Sequence, residues 1–584
     1  MRVITIGSKI VDDAIVSCGS GTKIKNVNRI TNISPFVICF NGGSKEVADL
    51  PDKSKDAYVS YMQRVEMSGQ LELTEDFDAV VIDVLDARLP FYEVTYDNSK
   101  IIRISDNNFN AGIIDSLKND VEKKKNIRIK KVNPIKCNSD ELKTLFGEYA
   151  AWLKNICKDK KVILVCNCNA YQTLDEDGVF TVSDKISSLM QYNDFYGRCV
   201  DVIKDMLDCQ IIPAPSYICA DTKGNGFFSL NRFYYQYLLG SLADIMEGAY
   251  DSAKRLREYN YAMQRYYEKC ITGRLVRDIK LHRADRSIVL IGGTEELQKD
   301  LCEKTGSDVF RKIDINTETS HEEIMAGLTG LNKSLQLCVV VYLKANKYIL
   351  KTLNNMGFDS TEDVVMPTHE AFTLGEFVGK YEDIFGNYIE VKALSDIKVS
   401  GCGNYISVGV CNNTIRFNIV VGDYNRVIVE EYGNIMFNKC LFLQGIMGSE
   451  INIGSYCRIV NNLKIYAGKF GRIIIGRRCL ISSDVLLHCG DGLAEKSGVD
   501  DSIVLDEWVW LGYRTTLIAG AHLHSGCIVG ARALVAQEIP NNCMVAGDPA
   551  RIIRRNITWH PDIMENDINA VPEQYRKLTD CGET

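Results

Sequence analysis

Histidine is scarce in this chain of 584 residues: there are seven, and the first along the chain is His282. A catalytic triad of Ser, His and Asp therefore cannot form from the residues that precede it. C-x-x-C pairs are absent although the chain has 21 cysteines, so neither zinc ribbons nor thioredoxin-type motifs are indicated. Scattered cysteines of this kind predict reduced thiols that pack as small apolar side chains.

Excess positive charge and long apolar runs are lacking as well. Lys plus Arg number 68 against 76 Asp plus Glu, and the resulting net charge of −8 argues against nucleic acid as a partner. No run of about 18 apolar residues occurs, so we expect no membrane span. The N-terminus shows no apolar segment of a secretory signal, and we therefore expect a cytoplasmic protein.

Short apolar runs at residues 3–6, 79–84 and 162–165 predict buried strands in the first half of the chain. Charged, helix-like stretches separate them, and this alternation is typical of a parallel α/β sheet. We predict an α/β domain of SGNH-like or flavodoxin-like type over residues 1–280, closed by the aromatic-rich helical segment 230–274.

A second α/β pattern opens with an apolar run at residues 287–291 and leads into the turn Gly292-Gly293-Thr294. Such a turn can hold a phosphate at a helix N-terminus, but the G-x-G-x-x-G fingerprint is incomplete. We interpret it as a tight strand-to-helix turn. The pattern predicts a small Rossmann-like domain over residues 285–385.

Glycine is concentrated in residues 401–550, which hold 19 of the 44 glycines. The same region repeats aliphatic residues every six positions, a spacing that would scatter them around a helix. A three-faced coil with roughly 18 residues per turn points one aliphatic residue of each face inward. This predicts a parallel β-helix over residues 388–560, followed by a tail at 561–584. The aliphatic positions are Leu505, Leu511, Leu517, Leu523, Val529 and Val535.

Three stretches of the coil resemble the hexapeptide-repeat acyltransferases: D-E-W-V-W-L-G at 506–512, Ile539-Pro540, and V-A-G-D-P-A-R at 545–551. The resemblance spans roughly residues 400–560. It implies a left-handed β-helix, a homotrimer with active sites between subunits, and acyl-CoA as donor.

From the domains joined here we infer an acetyl-CoA-dependent O-acetyltransferase that acts on a sugar or glycan hydroxyl in surface polysaccharide biosynthesis. Two alternatives remain open. One is a non-catalytic trimeric scaffold or glycan-binding protein. The other is an N-acyltransferase whose amino-sugar nucleotide is held by the Rossmann-like domain.

In the resembling family, a catalytic His sits in a loop that reads D-G-H. The matching stretch here is H-C-G-D-G-L at residues 488–493, and Leu493 stands at the His position. Three interpretations follow: His488 has taken the role of general base, the domain binds without transferring, or the base is Asp491 or comes from another chain or domain. We take His488 and Asp491 as the candidate catalytic residues.

Arg551, Arg554 and Arg555 form a basic cluster near the end of the coil. The resemblance places the nucleotide end of CoA near this segment, and the guanidinium fork is well suited to phosphate. The backbone amides near Gly512 and Gly530 are candidates for binding the pantetheine arm.

Trp510, within the family-like stretch, is our candidate for substrate contact. His522 and His524 flank the inward Leu523, so both should point outward. Because the sequence offers no third ligand beside them, we expect solvated side chains and no metal.

The N-terminal domain also resembles SGNH-like hydrolase domains. G-S-K-I-V-D-D at residues 7–13 stands where that family has G-S-C-x-x-R-D, with Lys9 at the Cys position and Asp12 at the Arg position, and D-V-L-D-A-R at 83–88 matches D-x-x-D-x-R. The stretch at 220–225 lacks that family's His, so Ser8 would have no histidine base. We predict a non-hydrolytic domain that binds glycan or stabilises the assembly.

Overall fold

A computed structural model gives the fold of the chain. None of the described helices is long and apolar enough to cross a membrane. The structure describes residues 2–17, 24–31, 34–37, 76–96, 100–105, 115, 118, 128–175, 179–215, 218–220, 230–282, 285–306, 308–314, 319–341, 347–359, 362–367, 369–383, 385–410, 416–430, 441–490, 501–557 and 559.

The chain divides into two compact units. The first comprises residues 1–173 and 188–264, and the second comprises 174–187 and 265–584. The division falls inside the helix Ser252–His282, and the second unit contains both the small α/β sheet and the coil. The three predicted domains stay a prediction.

The helices and strands up to residue 282 are described first. In chain order they are β1 (Arg2–Gly7), α1 (Lys9–Ser17), β2 (Lys25–Thr31), β3 (Ala79–Asp83), β4 (Phe91–Tyr96), β5 (Lys100–Ser105), β6 (Arg128–Val132), α2 (Ser139–Cys157), β7 (Lys161–Val165), β8 (Gln172–Leu174), β9 (Phe180–Val182), α3 (Ile186–Met206), β10 (Gln210–Ile212), α4 (Arg232–Glu247) and α5 (Ser252–His282).

Five of these strands form a parallel sheet in the order β2-β1-β3-β7-β10, a doubly wound arrangement. The three predicted strands lie side by side in it as β1, β3 and β7. Val80, Val81 and Ile82 are fully buried, as expected for a strand at the centre of such a sheet. The resemblance to SGNH-like hydrolases stays a prediction.

The second unit begins its own sheet after α5. The elements of its α/β part are β11 (Ser287–Gly292), α6 (Glu295–Thr305), β12 (Val309–Ile313), α7 (His321–Leu328), β13 (Gln336–Val341), α8 (Lys347–Asn355) and β14 (Val364–Val365). The strands pair in parallel in the order β12-β11-β13-β14.

The turn between β11 and α6 binds a carboxylate of the chain itself. Thr294 caps α6 by accepting the N–H of Leu297. The backbone N–H of Thr294 donates to Glu268 over 3.0 Å, and its hydroxyl donates to the same carboxylate. The helix N-terminus is thus already satisfied by a buried anion, which supports the interpretation of Gly292-Gly293-Thr294 as a structural turn.

The β-coil follows and consists of two long strands and then a series of shorter ones. These are β15 (Phe372–Glu382), β16 (Tyr388–Val399), β17 (Tyr405–Val408), β18 (Phe417–Asp423), β19 (Arg426–Val429), β20 (Leu441–Met447), β21 (Glu450–Ile453), β22 (Arg458–Ile459), β23 (Leu463–Ala467), β24 (Arg472–Ile475), β25 (Leu480–Ile481), β26 (Leu486–Cys489), β27 (Ser502–Leu505), β28 (Trp510–Leu511), β29 (Thr516–Ile518), β30 (Ala521–Leu523), β31 (Ile528–Val529), β32 (Leu534–Val535), β33 (Glu538–Ile539), β34 (Met544–Ala546) and β35 (Arg551–Arg554).

The coil has three faces of parallel strands. The first face stacks β18, β20, β23, β26, β29 and β32; the second stacks β17, β19, β21, β24, β27, β30 and β33; the third stacks β22, β25, β28, β31 and β34. An antiparallel pair opens the coil (β15 with β16), and another closes it (β34 with β35).

The predicted inward residues are confirmed: all six aliphatic positions from Leu505 to Val535 are at most 1% exposed. The predicted turn of roughly 18 residues is found where Trp510 pairs with Ile528. Other turns differ, since the turn that pairs Leu480 with Trp510 is longer and the turn that pairs His522 with Glu538 is shorter. Residues can be added or removed at corners and loops while the inward stack is kept.

A ladder of buried polar side chains runs through the first turns of the coil. Asp383 accepts the side-chain amide of Asn387 over 2.9 Å, and Asn387 accepts that of Asn404 over 2.8 Å. Asn404 in turn accepts the amide of Asn425, which accepts the hydroxyl of Ser449. Burial raises the pKa of Asp383. Each amide bonds to the next turn, so the ladder satisfies its polar groups without water.

Removal of an inward side chain tests the stack. We expect Leu511→Ala to lower the free energy of unfolding by about 2–5 kcal/mol, because it leaves a cavity in a fully buried position. The exposed control Ile446→Ala should change it by less than about 0.5 kcal/mol. Tryptophan fluorescence during urea unfolding reports mainly on the coil, because Trp508, Trp510 and Trp559 lie there and only Trp152 lies in the first unit. Equal effects of the two variants would contradict the inward stack.

Candidate functional site

His488 lies on the first face of the coil, in β26, with its side chain exposed. Its neighbours along the face are Tyr466 one turn before and Ile518 one turn after. The Tyr466 and His488 rings meet edge to face with their centroids 6.2 Å apart. Within the described part of the chain, no hydrogen bond fixes the imidazole, so it is accessible for proton transfer.

The candidate catalytic stretch 491–500 follows this histidine in sequence and lies outside the described residues. Gly490 has a φ of +79°, and its N–H donates to Asp501 Oδ1 over 2.6 Å. This bond joins the two described residues that flank the stretch 491–500. Asp491 and Leu493 lie outside the described residues, so the role of Asp491 stays a prediction.

Gly512 and Gly530 occupy tightly packed corners of successive turns. The Gly512 N–H donates to the Val529 carbonyl over 2.8 Å, and the Gly530 N–H donates to the Val545 carbonyl over 2.7 Å. A Cβ at Gly512 would approach the Val529 oxygen to 2.6 Å. Both amides are therefore used inside the coil. Their carbonyls also accept hydrogen bonds inside the coil, from Thr515 and Ala533. A contribution of the backbone near these glycines to CoA binding stays a prediction.

The predicted basic cluster lies on and beside the closing strand β35. Arg551, Arg554 and Arg555 are all exposed. Among the described residues none of them pairs with a carboxylate, and Arg555 Nη1 lies 3.9 Å from Cys543 Sγ. Three guanidinium groups without acidic partners make this end of the coil suitable for a phosphorylated ligand.

Trp510 lies at the start of β28 on the third face, whereas His488 lies on the first. Its indole N–H donates to Ser482 Oγ over 3.3 Å, and its ring centroid is 5.8 Å from that of Trp559. The structure does not bring Trp510 and His488 together within one chain. Substrate contact by Trp510 stays a prediction.

His522 and His524 point outward from the second face, as predicted, and they meet two carboxylates. His522 Nε2 lies 3.2 Å from Asp506 Oδ1, and His524 Nδ1 lies 2.9 Å from Asp506 Oδ2. His524 Nε2 lies 2.8 Å from Glu538 Oε1. The hydrogen bond to Glu538, followed by that to Asp506, raises the pKa of His524. Sequence reasoning missed this cluster because its members come from three successive turns.

The sheet of the first unit carries a second polar cluster where β1, β3 and β7 end. The Ser8 hydroxyl donates to Asp83 Oδ2 over 2.8 Å, and the Leu85 N–H donates to Oδ1 over 3.0 Å. Asn167 lies 3.4 Å from the same carboxylate and accepts the Tyr234 hydroxyl. Burial raises the pKa of Asp83. Ser8 thus has a buried carboxyl partner rather than a histidine, and the stretch 221–225 lies outside the described residues.

No protein-family model matches the chain. Among curated proteins it is similar to the polysialic acid O-acetyltransferase of Escherichia coli O1:K1 / APEC, 29% identical over 119 residues, or 19% of this chain and 38% of that protein. It is also similar to a chloramphenicol acetyltransferase of Escherichia coli, 29% identical over 150 residues, or 24% of this chain and 69% of that protein. The chain thus spans well under two thirds of the length of the first relative.

Among solved structures, the polySia-specific acetyltransferase NeuO aligns with 33% of this chain and 84% of its own, at 22% identity and a TM-score of 0.28. A TM-score of this size carries no argument about fold or function, and the architecture of the coil follows from its own strand pairing. The resemblance to hexapeptide-repeat acyltransferases, inferred from the coil motifs, is confirmed by the sequence relatives.

The histidine cluster predicts a pH dependence of stability in the presence of a metal chelator. Because the pKa of His524 is raised, the ion pairs of its imidazolium stabilise the fold fully below about pH 6.5 and are lost as the pH rises through the raised value. The melting temperature of wild type should fall between pH 6 and 9 as the imidazolium loses its proton. In His524→Gln this fall should be smaller by about 1–2 °C. The control His282→Gln should keep the wild-type slope, and equal slopes for all three proteins would contradict the ion pairs.

Proposed function

We propose that the chain is an acetyl-CoA-dependent O-acetyltransferase that acts on a hydroxyl of a sugar or glycan, with the β-coil as its transfer domain. The observation that carries the proposal is the exposed His488 on the first face of the coil, two residues before the hydrogen-bonded pair Gly490 and Asp501 that flanks the family-like stretch. Similarity to a polysialic acid O-acetyltransferase supports a glycan acceptor and a role in surface polysaccharide biosynthesis.

His488 acts as the general base in this proposal. Its ring nitrogen takes the proton of the acceptor hydroxyl while the oxygen attacks the thioester carbonyl and forms a tetrahedral intermediate. The C–S bond then breaks, the acetyl group stays on the sugar oxygen, and the CoA thiolate takes the proton back from the imidazolium. Asp491, three residues further along, is proposed to orient or supplement the base.

The arginines at the closing strand are proposed to bind the phosphates of CoA. Arg551, Arg554 and Arg555 are exposed and have no acidic partner among the described residues. Guanidinium groups bind phosphate with two parallel hydrogen bonds, which favours this end of the coil for the nucleotide part of the donor.

A homotrimer is part of the proposal. His488 and Trp510 lie on different faces of one coil, so a groove between two copies could be lined by the first face of one and the third face of the other. The described cysteines are free thiols and mostly buried, which supports a reducing, cytoplasmic compartment.

A non-catalytic glycan-binding protein is the second candidate. Two observations favour it: Leu493 stands where the family has its catalytic His, and Ser8 pairs with Asp83 rather than with a histidine. The two candidates differ in one measurable property, because only the first releases free CoA thiol when acetyl-CoA and a glycan acceptor are both present.

Replacement of the proposed base tests the first candidate. With a panel of sugars, nucleotide sugars and sialic acid polymers as acceptors, His488→Ala should lower kcat by about 10²–10⁴-fold in a thiol-release assay, since no base remains at this position. The control His282→Ala removes an exposed histidine at the end of α5 and should keep wild-type turnover. Unchanged turnover in His488→Ala would remove this residue from the mechanism, and CoA binding without turnover would favour the second candidate.

Replacement of the arginines tests the donor site separately. We expect Arg551→Ala and Arg554→Ala each to raise the KM for acetyl-CoA by on the order of tenfold with little change in kcat, because lost charge-assisted hydrogen bonds to a phosphate weaken binding of ground and transition states alike. The KM for acetyl-pantetheine, which lacks the nucleotide, should not change. Arg472→Ala, which removes an arginine paired with Glu450 on the second face, serves as control. If a variant raises the KM for acetyl-CoA and for acetyl-pantetheine equally, the phosphates of CoA do not bind at these arginines.

A further inference from the structure

We propose that Asp506, His522 and His524 form a binding site for a divalent transition-metal ion on the second face of the coil, with Glu538 orienting one of the histidines. One ligand atom from each of the three residues lies within 4.8 Å of the other two. The sequence alone predicts solvated histidines without metal, because no third ligand stands beside them. In the fold, Asp506 of the preceding turn supplies that ligand.

Backbone pairing places the three side chains before any ion arrives. The N–H of Asp506 donates to the Leu523 carbonyl, and the N–H of His524 donates to the Ile539 carbonyl. The intervening Leu523 is fully buried, which turns both histidines outward on the same side. A site on a rigid scaffold loses little conformational entropy when it binds its ion.

The distances suit a metal ion as well as a proton. Zn–N and Zn–O bonds of about 2.0–2.2 Å with tetrahedral angles put neighbouring ligand atoms about 3.3–3.5 Å apart. The two nitrogen–oxygen distances to Asp506 are 3.2 Å for His522 and 2.9 Å for His524. These two distances end on different oxygens of Asp506, and the three ligand atoms lie within 4.8 Å of one another, so rotation of the side chains has to close the set around the ion.

The partners of the His524 ring fit either an imidazolium or a metal-bound imidazole between Asp506 and Glu538. Its Nδ1 faces Asp506 and its Nε2 faces Glu538, so both ring nitrogens face carboxylate oxygens. A neutral imidazole has one N–H and can satisfy only one of them. If Nε2–H donates to Glu538, the lone pair of Nδ1 needs either a second proton or a metal ion. Donation of the second ring N–H to a carboxylate is the usual arrangement of a metal-bound histidine.

The donor set selects the class of metal. Two imidazoles and one carboxylate suit Zn²⁺, Co²⁺ or Ni²⁺, whereas Mg²⁺ and Ca²⁺ prefer oxygen ligands throughout. Three protein ligands leave a coordination position for water or an exogenous ligand. The ion would also tie two successive turns of the coil together near its C-terminal end.

Metal titration of the full chain tests the site. Zn²⁺ is added to metal-free protein in competition with a chromophoric chelator, and Co²⁺ is added in a parallel absorption measurement. We expect wild type to bind one more equivalent of Zn²⁺ than His522→Ala, His524→Ala or Asp506→Ala. Glu538→Gln should keep the stoichiometry and weaken binding by about 10–100-fold, because it disturbs only the orienting hydrogen bond. The control His488→Ala removes an exposed histidine on another face and should bind as wild type does.

The 21 cysteines are a competing class of ligands, and the cobalt spectrum separates them from the histidine site. The Co²⁺ ion that binds to wild type but not to the histidine variants should show visible d–d bands without the near-ultraviolet band of cobalt thiolate. Tryptophan fluorescence of each variant checks that the coil has folded, and His522→Gln serves if His522→Ala does not fold. Equal Zn²⁺ stoichiometry in wild type and the histidine variants, or a difference spectrum dominated by thiolate, would overturn the proposal.

Discussion

The stack of aliphatic side chains inside the coil is the interaction on which the rest of the second unit depends. On the first face, Leu487, Leu517 and Val535 lie one above another, and each is fully buried. Burial of one such side chain contributes about 1.5–3 kcal/mol, and the stack repeats on three faces. Because the inward positions carry the stability, the outward positions are free to vary in chemistry, and the exposed His488 is one of them.

Stacking also decides which outward residues meet. Residues that are neighbours along a face are one turn apart, and the turn from His522 to Glu538 is much shorter than the turn from Leu480 to Trp510. Val504 pairs with His522 and Leu505 with Leu523, so Asp506 reaches both histidines although they are distant from it along the chain. The same geometry keeps Trp510 on a different face from His488, which makes a shared site dependent on a second copy of the coil.

The inward positions could be predicted from sequence because alternation and a period of six are local properties of the chain. Contacts between turns could not, because they depend on how many residues each turn inserts at its corners. Gly512 shows the difference. A glycine is needed at this position because the next turn approaches closely, and its N–H donates to that turn rather than to a ligand. In the first unit, the strands could be predicted from apolar runs. The contact of Ser8 with Asp83, which is far away in sequence, follows from β1 lying next to β3 in the sheet.

The central claim is that the coil binds an acyl-CoA donor, and calorimetric titration of the full chain with acetyl-CoA tests it most directly. The account predicts saturable binding at one site per chain, with a Kd in the range of about 1 μM to 1 mM that is usual for enzyme substrates. Absence of binding across that range would contradict the account, because neither the arginines at the closing strand nor the histidine on the first face would then have a donor to act on.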